Sequence, residues 1–322
     1  MMAIEGIDAI TYSTDRWDEA RRFFADWGLT LLADAPGRMD WETLTGAQVR
    51  VRAPDDPALP APIESGPTLR EVTWGVSTPA DLDALAARLA GAGHVEDLRD
   101  AEGVVKARDP HGMGLVFRVS SKRDAGVRGA AANPWGSPAR IDAASPVYER
   151  ATPVDIGHVV LFTDRIAQAE AFYANLGFVC SDRYPGRGVF LRCAAEGAHH
   201  NLFLLQLPGK PAGLNHVAFA VRDIHEVFGG GLHMSRCGWK TQLGPGRHPI
   251  SSAYFWYFEN PCGGLIEYNA DEDHLTAAWQ PRDFEPGPAV FAEWAIEGGL
   301  DGHTRRQPRA GNAGTFLTER RP

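Results

Sequence analysis

Three residues in the second half of this chain have the chemistry of a metal site. His158 lies in DIGHVVLF, His216 in LNHVAFAV and Glu267 in LIEY. Each run has the composition of a strand. Alternation puts Ile156, His158, Val160 and Phe162 on one face of the first, and Leu214, His216, Ala218 and Ala220 on one face of the second. Bulky Val217, Phe219 and Val221 suit packing on a helix, whereas the small alanines leave room beside His216. Glu267 sits among Leu265, Ile266 and Tyr268, where an unpaired carboxylate is costly to bury. A metal, an arginine or a wet face would each answer it. Two neutral imidazoles and one carboxylate suffice to ligate a divalent metal, and on one face of an octahedron they leave positions open.

The elements that must position these residues come from a repeat. Thr14 to Leu29 (TDRWDEARRFFADWGL) aligns without gaps with Thr163 to Phe178 (TDRIAQAEAFYANLGF). In the first copy Thr14-Asp15 offers a helix N-cap, Trp17, Ala20, Phe23, Phe24 and Trp27 recur at helical spacing, and Gly28 stops the helix. LREVTWGV (Leu69 to Val76) resembles LNHVAFAV (Leu214 to Val221), and DPHGMGLVF (Asp109 to Phe117) resembles NPCGGLIEY (Asn260 to Tyr268). Each half thus splits into strand–helix–strands twice over. The last repeat unit ends in a hairpin: Ala253 to Phe258 and Leu265 to Tyr268 flank a turn at Asn260-Pro261-Cys262-Gly263-Gly264. A period this long signals duplicated domains rather than a solenoid.

The first copy acts as a control. Ala9 matches His158, Glu71 matches His216 and Val116 matches Glu267. The first half keeps the fold pattern and lacks the ligands, which places metal chemistry in the second half alone.

Composition bounds the rest. At 322 residues, with 44% apolar and 23% charged residues, the chain reads as a globular protein of about two domains. A net charge of −9 argues against a nucleic-acid partner. No apolar run approaches a transmembrane helix, and the N-terminus lacks a signal-peptide pattern, so the expected location is cytoplasmic. The four cysteines are sparse and irregularly spaced, as for reduced thiols. The expected division is 1–120 as a domain without metal, 121–152 as linker, 153–275 as the catalytic metal-binding domain and 276–322 as a C-terminal extension. Within the linker, Asn133-Pro134-Trp135-Gly136 is expected to be ordered by packing of the tryptophan. In the extension, Trp279, Phe284, Phe291 and Trp294 are expected to dock on the body, and Gly299 to Pro322 to be mobile.

The duplicated modules, with His/His/Glu in the C-terminal half, resemble the vicinal oxygen chelate superfamily, and within it the two-domain type I extradiol catechol dioxygenases. The resemblance covers roughly residues 3–119 and 153–273. It implies an α+β fold of two tandem domains, each of two βαβββ modules forming curved mixed sheets, as in glyoxalases and bleomycin-resistance proteins. The extradiol motif adds three residues that the glyoxalases and fosfomycin-type transferases lack: His200, His248 and Tyr257, at the family's positions before Glu267. By this resemblance His158, His216 and Glu267 hold Fe(II), with Mn(II) as an alternative. Tyr257 and His248 hydrogen-bond substrate oxygens, and His200 is the acid–base. The substrates would be a catechol or trihydroxybenzene and O2, the product a ring-opened muconic semialdehyde, and the protein a homo-oligomer. Adjacent His199 should face the other way on a strand. His225, His233, His274 and His303 have no matching spacing.

Specificity is less directly encoded. Arg247, Arg282 and Arg305 are candidates for an acidic substituent, although alternation turns Arg247 away from His248. Phe190, Phe203, Phe255 and Trp256 are candidates for an apolar wall. Two other functions share the metal plan or the fold: an isomerase or lyase acting without O2, and a non-catalytic small-molecule binder. The His200/His248/Tyr257 set speaks against the first, and the retained triad against the second.

Overall fold

The stretch repeated in sequence folds twice into the same unit. In the computed structural model, which describes residues 4–91, 95–97 and 103–297, the first half runs β1 (Ile4–Ser13), α1 (Trp17–Trp27), β2 (Thr30–Ala35), β3 (Arg38–Glu42), β4 (Gln48–Arg52), β5 (Thr68–Val76), α2 (Pro79–Gly91), β6 (Val95–Asp97), β7 (Val105–Arg108) and β8 (Gly114–Val119). The second runs β9 (Asp155–Phe162), α3 (Ile166–Asn175), β10 (Val179–Tyr184), β11 (Gly188–Arg192), β12 (Gly197–Ala198), β13 (Leu202–Leu205), β14 (Gly213–Ala220), α4 (Ile224–Arg236), β15 (Thr241–Arg247), β16 (Tyr254–Glu259) and β17 (Leu265–Ala270). After these come β18 (His274–Leu275), β19 (Arg282–Asp283), α5 (Pro288–Phe291) and β20 (Trp294–Glu297).

α1 buries Ala20, Phe23, Phe24 and Trp27, and ends at Gly28 with φ 94°. A Cβ there would lie 2.1 Å from the Ala151 carbonyl oxygen, so only glycine fits this stop. Thr14 does not cap the helix as expected. Its hydroxyl accepts from the Arg16 amide at 3.1 Å, a turn preceding the helix, and Thr163 does the same for Arg165.

Eight strands form one sheet in the order β2-β3-β4-β1-β5-β8-β7-β6. Ten form the other, in the order β19-β10-β11-β13-β9-β14-β17-β16-β15-β20. Each sheet is two βαβββ modules side by side, giving the expected α+β architecture, and β19 and β20 from the end of the chain extend both edges of the second sheet. The repeat also holds at the level of register. In the second half Ala218 pairs with His158 on one side and Glu267 on the other; in the first, Thr73 pairs with Ala9 and Val116 in the same way.

The halves are packed through aromatic rings. Trp27 stacks on Tyr268 with centroids 3.6 Å apart, and the Tyr268 hydroxyl donates to the Trp27 carbonyl at 2.8 Å. Burial of two such rings makes a large apolar contribution, and here it anchors the residue next to Glu267. Between the halves the chain lacks regular structure. Trp135 is fully exposed, contrary to the expectation of packing. Local order there comes instead from Asn133, whose Oδ1 accepts from the amides of Ala139 and Arg140. After Asp273, Trp279 donates to the Ser181 carbonyl at 2.8 Å, and Phe284 and Phe291 pack on the body. Gly299 to Pro322, with Arg305, lies outside the described residues.

Candidate metal centre and active site

His158, His216 and Glu267 stand on β9, β14 and β17, three adjacent strands at the middle of the second sheet. Because Ala218 lies directly between His158 and Glu267, its methyl leaves a gap that the larger side chains fill, and His216, two residues earlier, points to the same face. The two Nε2 atoms are 3.2 Å apart. They lie 3.3 and 3.1 Å from the same Glu267 oxygen, Oε2. All three residues are buried, and neither Glu267 oxygen has a hydrogen-bond partner.

An orphaned buried carboxylate facing two imidazole nitrogens is unfavourable by itself. It fits a cation. Donor atoms about 2.1 Å from a common ion and at right angles to one another lie roughly 3 Å apart, close to the three separations observed. The His216 imidazole has suitable protonation. Burial pushes the pKa of His216 down, against the pull of Glu267. Its Nδ1 sits 2.6 Å from Asn215 Oδ1, which can only accept from it, so Nε2 carries the lone pair.

Two further histidines and a tyrosine surround this centre. His200 lies in the turn before β13 rather than on a strand, with its ring centroid 4.0 Å from that of His158. Its Nδ1 is 2.9 Å from Glu272 Oε1 and 3.2 Å from His199 Nδ1. His199 in turn directs Nε2 to Asp182 at 2.9 Å, and Asp182 also receives Arg282. With His199 donating through Nε2, both neighbours of His200 Nδ1 are acceptors. His200 therefore carries its hydrogen on Nδ1 and keeps a lone pair on Nε2. Burial and the adjacent His158 push its pKa down to about 3, so it is neutral at pH 7.

His248, immediately after β15, sends Nδ1 to the Phe291 carbonyl at 2.6 Å, and its Nε2 lies 3.0 Å from the Tyr257 hydroxyl. The carbonyl can only accept, so Nε2 accepts from Tyr257. Burial, then Glu267, raises the Tyr257 pKa well above its ordinary value, and the phenol stays protonated.

Of these six residues, His158, His200, His216, His248 and Tyr257 line one cavity of about 290 Å³, and Glu267 is fully buried. Val160, Tyr184, Phe190, Phe203 and Ile250 form one wall; Leu243, Leu265 and Phe291 lie on the other. Phe190 and Phe203 are therefore lining residues, stacked on each other at 4.0 Å. The other expected lining residues are elsewhere. Phe255 sits behind His248, 4.1 Å from its ring. Trp256 faces the opposite side of the sheet, against Gly231 and hydrogen-bonded to Thr241, as alternation from Tyr257 requires. Arg247 pairs with Glu293 at the edge of the sheet, and Arg282 with Asp182. Besides the apolar lining residues Tyr184, Leu243 and Ile250, three hydrogen-bonding contributors were not foreseen: Asn215, Glu272 and the backbone of Phe291. Asn215 precedes His216 and Glu272 follows the last long strand, but nothing in their local spacing marks them.

Residues 155–268 match the family model of the Glyoxalase/Bleomycin resistance protein/Dioxygenase superfamily. Metapyrocatechase 2 of Cupriavidus necator is 33% identical over 214 residues, which span 63% of this chain and 64% of that protein, less than two thirds of its length. Among solved structures, the Mn(II)-bound glyoxalase from Novosphingobium aromaticivorans superposes with a TM-score of 0.73 at 24% identity, covering 96% of each chain. A catechol 2,3-dioxygenase superposes with a TM-score of 0.70 at 22% identity over 95% of this chain and all (100%) of its own. Over nearly its whole length the chain shares the fold of these two solved structures. Among the described residues no helix is long and apolar enough to cross a membrane.

Proposed function

We propose that this chain is an extradiol dioxygenase that opens a catechol ring with O2, using Fe(II), or Mn(II), held by His158, His216 and Glu267. The observation that carries this reading is the meeting of three donor atoms within 3.1–3.3 Å of one another, with the Nε2 lone pair of His200 and the Tyr257–His248 pair opening into the same cavity. An isomerase or a binder of this fold has no use for that surrounding set. The metal would chelate both catechol oxygens, acidify the hydroxyls and supply the place where O2 reacts.

The protein's residues then do the following. His200 takes a proton at Nε2 and returns it later in turnover, with Glu272 stabilising the imidazolium formed in between. Tyr257 turns its one O–H from His248 to a substrate oxygen, which leaves His248, held at Nδ1 by the Phe291 carbonyl, with Nε2 free to accept from a substrate hydroxyl. The apolar walls exclude water and fix the ring beside these groups. Both atoms of O2 enter the product, so one ring and one O2 balance without an external reductant. The first half, with Ala9, Glu71 and Val116 at the corresponding positions, buttresses the second through Trp27.

The test is anaerobic loading with Fe(II) or Mn(II), followed by air and a panel of catechols. A coloured ring-opened product supports the reading. No turnover of any catechol by either metal form removes it.

A further inference from the structure

The cavity is larger than a catechol needs, and its excess is apolar. A cavity of about 150 Å³ accommodates benzene; this one is about 290 Å³. Val160, Tyr184, Phe190, Phe203 and Ile250 form a cluster distinct from the main core, extended toward the pocket by Leu205 and Val290. Among the described residues the lining contains no lysine or arginine; beyond the centre itself its polar members are Asn215, Gln242, Ser251 and the Tyr184 hydroxyl. Asn215 is committed to His216, and the Tyr184 hydroxyl to the Val290 carbonyl at 3.1 Å. Of the arginines that were candidates for an acidic substituent, Arg247 is held by Glu293 and Arg282 by Asp182. Glu272, beside His200, adds a negative charge near the pocket and no cation.

We infer that the substrate is a catechol bearing an uncharged apolar substituent, alkyl or aryl, up to about the size of a second ring, and that catechols with a carboxylate substituent are rejected. The inference rests on the reading of this cavity as a catechol site. A carboxylate placed against this wall loses its water and gains no cation among the described residues. A methyl, alkyl or phenyl group gains apolar contact instead. The segment around α5 takes part in the selection: Val290 joins one wall and Phe291 the other, so this segment spans the pocket from wall to wall.

The test uses the full chain loaded with Fe(II). It compares kcat/KM for alkyl- and phenyl-substituted catechols with that for 3,4-dihydroxybenzoate and 3,4-dihydroxyphenylacetate. The apolar series is expected to be favoured by about 100-fold or more. Leu205→Arg, at a half-buried lining position, should narrow or reverse the ratio by bringing a cation to the wall. In parallel, 4-alkylphenols and 4-hydroxybenzoate, which cannot be cleaved, are compared as ligands by the thermal shift they produce. Equal or preferred use of the carboxylated catechols, or equal binding of the two phenol classes, overturns the inference. If no catechol is opened but the alkylphenols bind and the carboxylated phenol does not, the ring-cleavage reading fails and the apolar selectivity stands.

Discussion

Glu272 grips His200 twice: its Oε1 lies 2.9 Å from Nδ1 of the ring and 3.2 Å from the backbone nitrogen of the same residue. The carboxylate sets both where the imidazole sits and which nitrogen faces the cavity. Glu272→Gln can present an amide N–H to Nδ1 and so favour the wrong tautomer. The expected outcome is retained metal and KM with kcat lowered about 10–100-fold, the range for partners of this kind. Steady-state kinetics with metal analysis checks it; unchanged kcat would remove Glu272 from the reaction.

Loss of Nε2 itself should be more severe. His200→Phe keeps the ring's packing against Phe190 and His158 but has no proton acceptor. Turnover is expected to fall about 100-fold or more, the scale of general acid–base catalysis, while anaerobic substrate binding persists. Wild-type kinetics in this variant would move the acid–base role elsewhere.

The repeat supplies a paired test of where the metal binds. Glu267→Gln should abolish stoichiometric metal binding, and Glu71→Gln, at the position corresponding to His216, should leave it intact. Metal added at about 1,000 times its dissociation constant stabilises a folded protein by about 4 kcal/mol. A thermal melt should therefore rise by several degrees on metal addition to wild type and Glu71→Gln, and not to Glu267→Gln. Equal responses in the two variants would contradict assignment to one half.

Tyr257→Phe removes the O–H that His248 accepts. The ring remains packed, so the fold should persist. kcat/KM should drop about 10–100-fold, corresponding to one hydrogen bond to a charged oxygen.

Truncation before Pro288 removes Val290 and Phe291 from the walls and the carbonyl that orients His248. We expect KM for an apolar catechol to rise at least about tenfold with metal content unchanged. Unaltered KM would show that this segment does not close the pocket.

The strand positions of the centre were legible because strands obey a period of two and the chain contains its own control. The pairing of Ala218 with His158 and Glu267 repeats that of Thr73 with Ala9 and Val116, in agreement with the three separate repeat matches in the sequence. The same alternation puts Trp256 on the other face from Tyr257, so its candidacy as a lining residue fails by a rule the sequence already contained. What could not be read was contact between irregular segments. His200 meets Glu272 because a turn before β13 approaches the end of β17, and His248 meets a backbone carbonyl of Phe291, which any residue could supply. Side-chain type carries no signal for such a partner. Arg247 illustrates the opposite error: proximity in sequence to His248 placed it near the pocket, whereas its guanidinium is held at the sheet edge by Glu293.

The central claim is that this centre couples one catechol to one O2. The most direct measurement is oxygen uptake by the Fe(II)-loaded chain with a limiting apolar catechol, coupled to mass analysis of the product. The account predicts one O2 consumed per catechol, a product with the mass of the substrate plus one O2, and neither in Glu267→Gln. An intact ring after complete reaction, whether as unreacted catechol or as quinone, would contradict it.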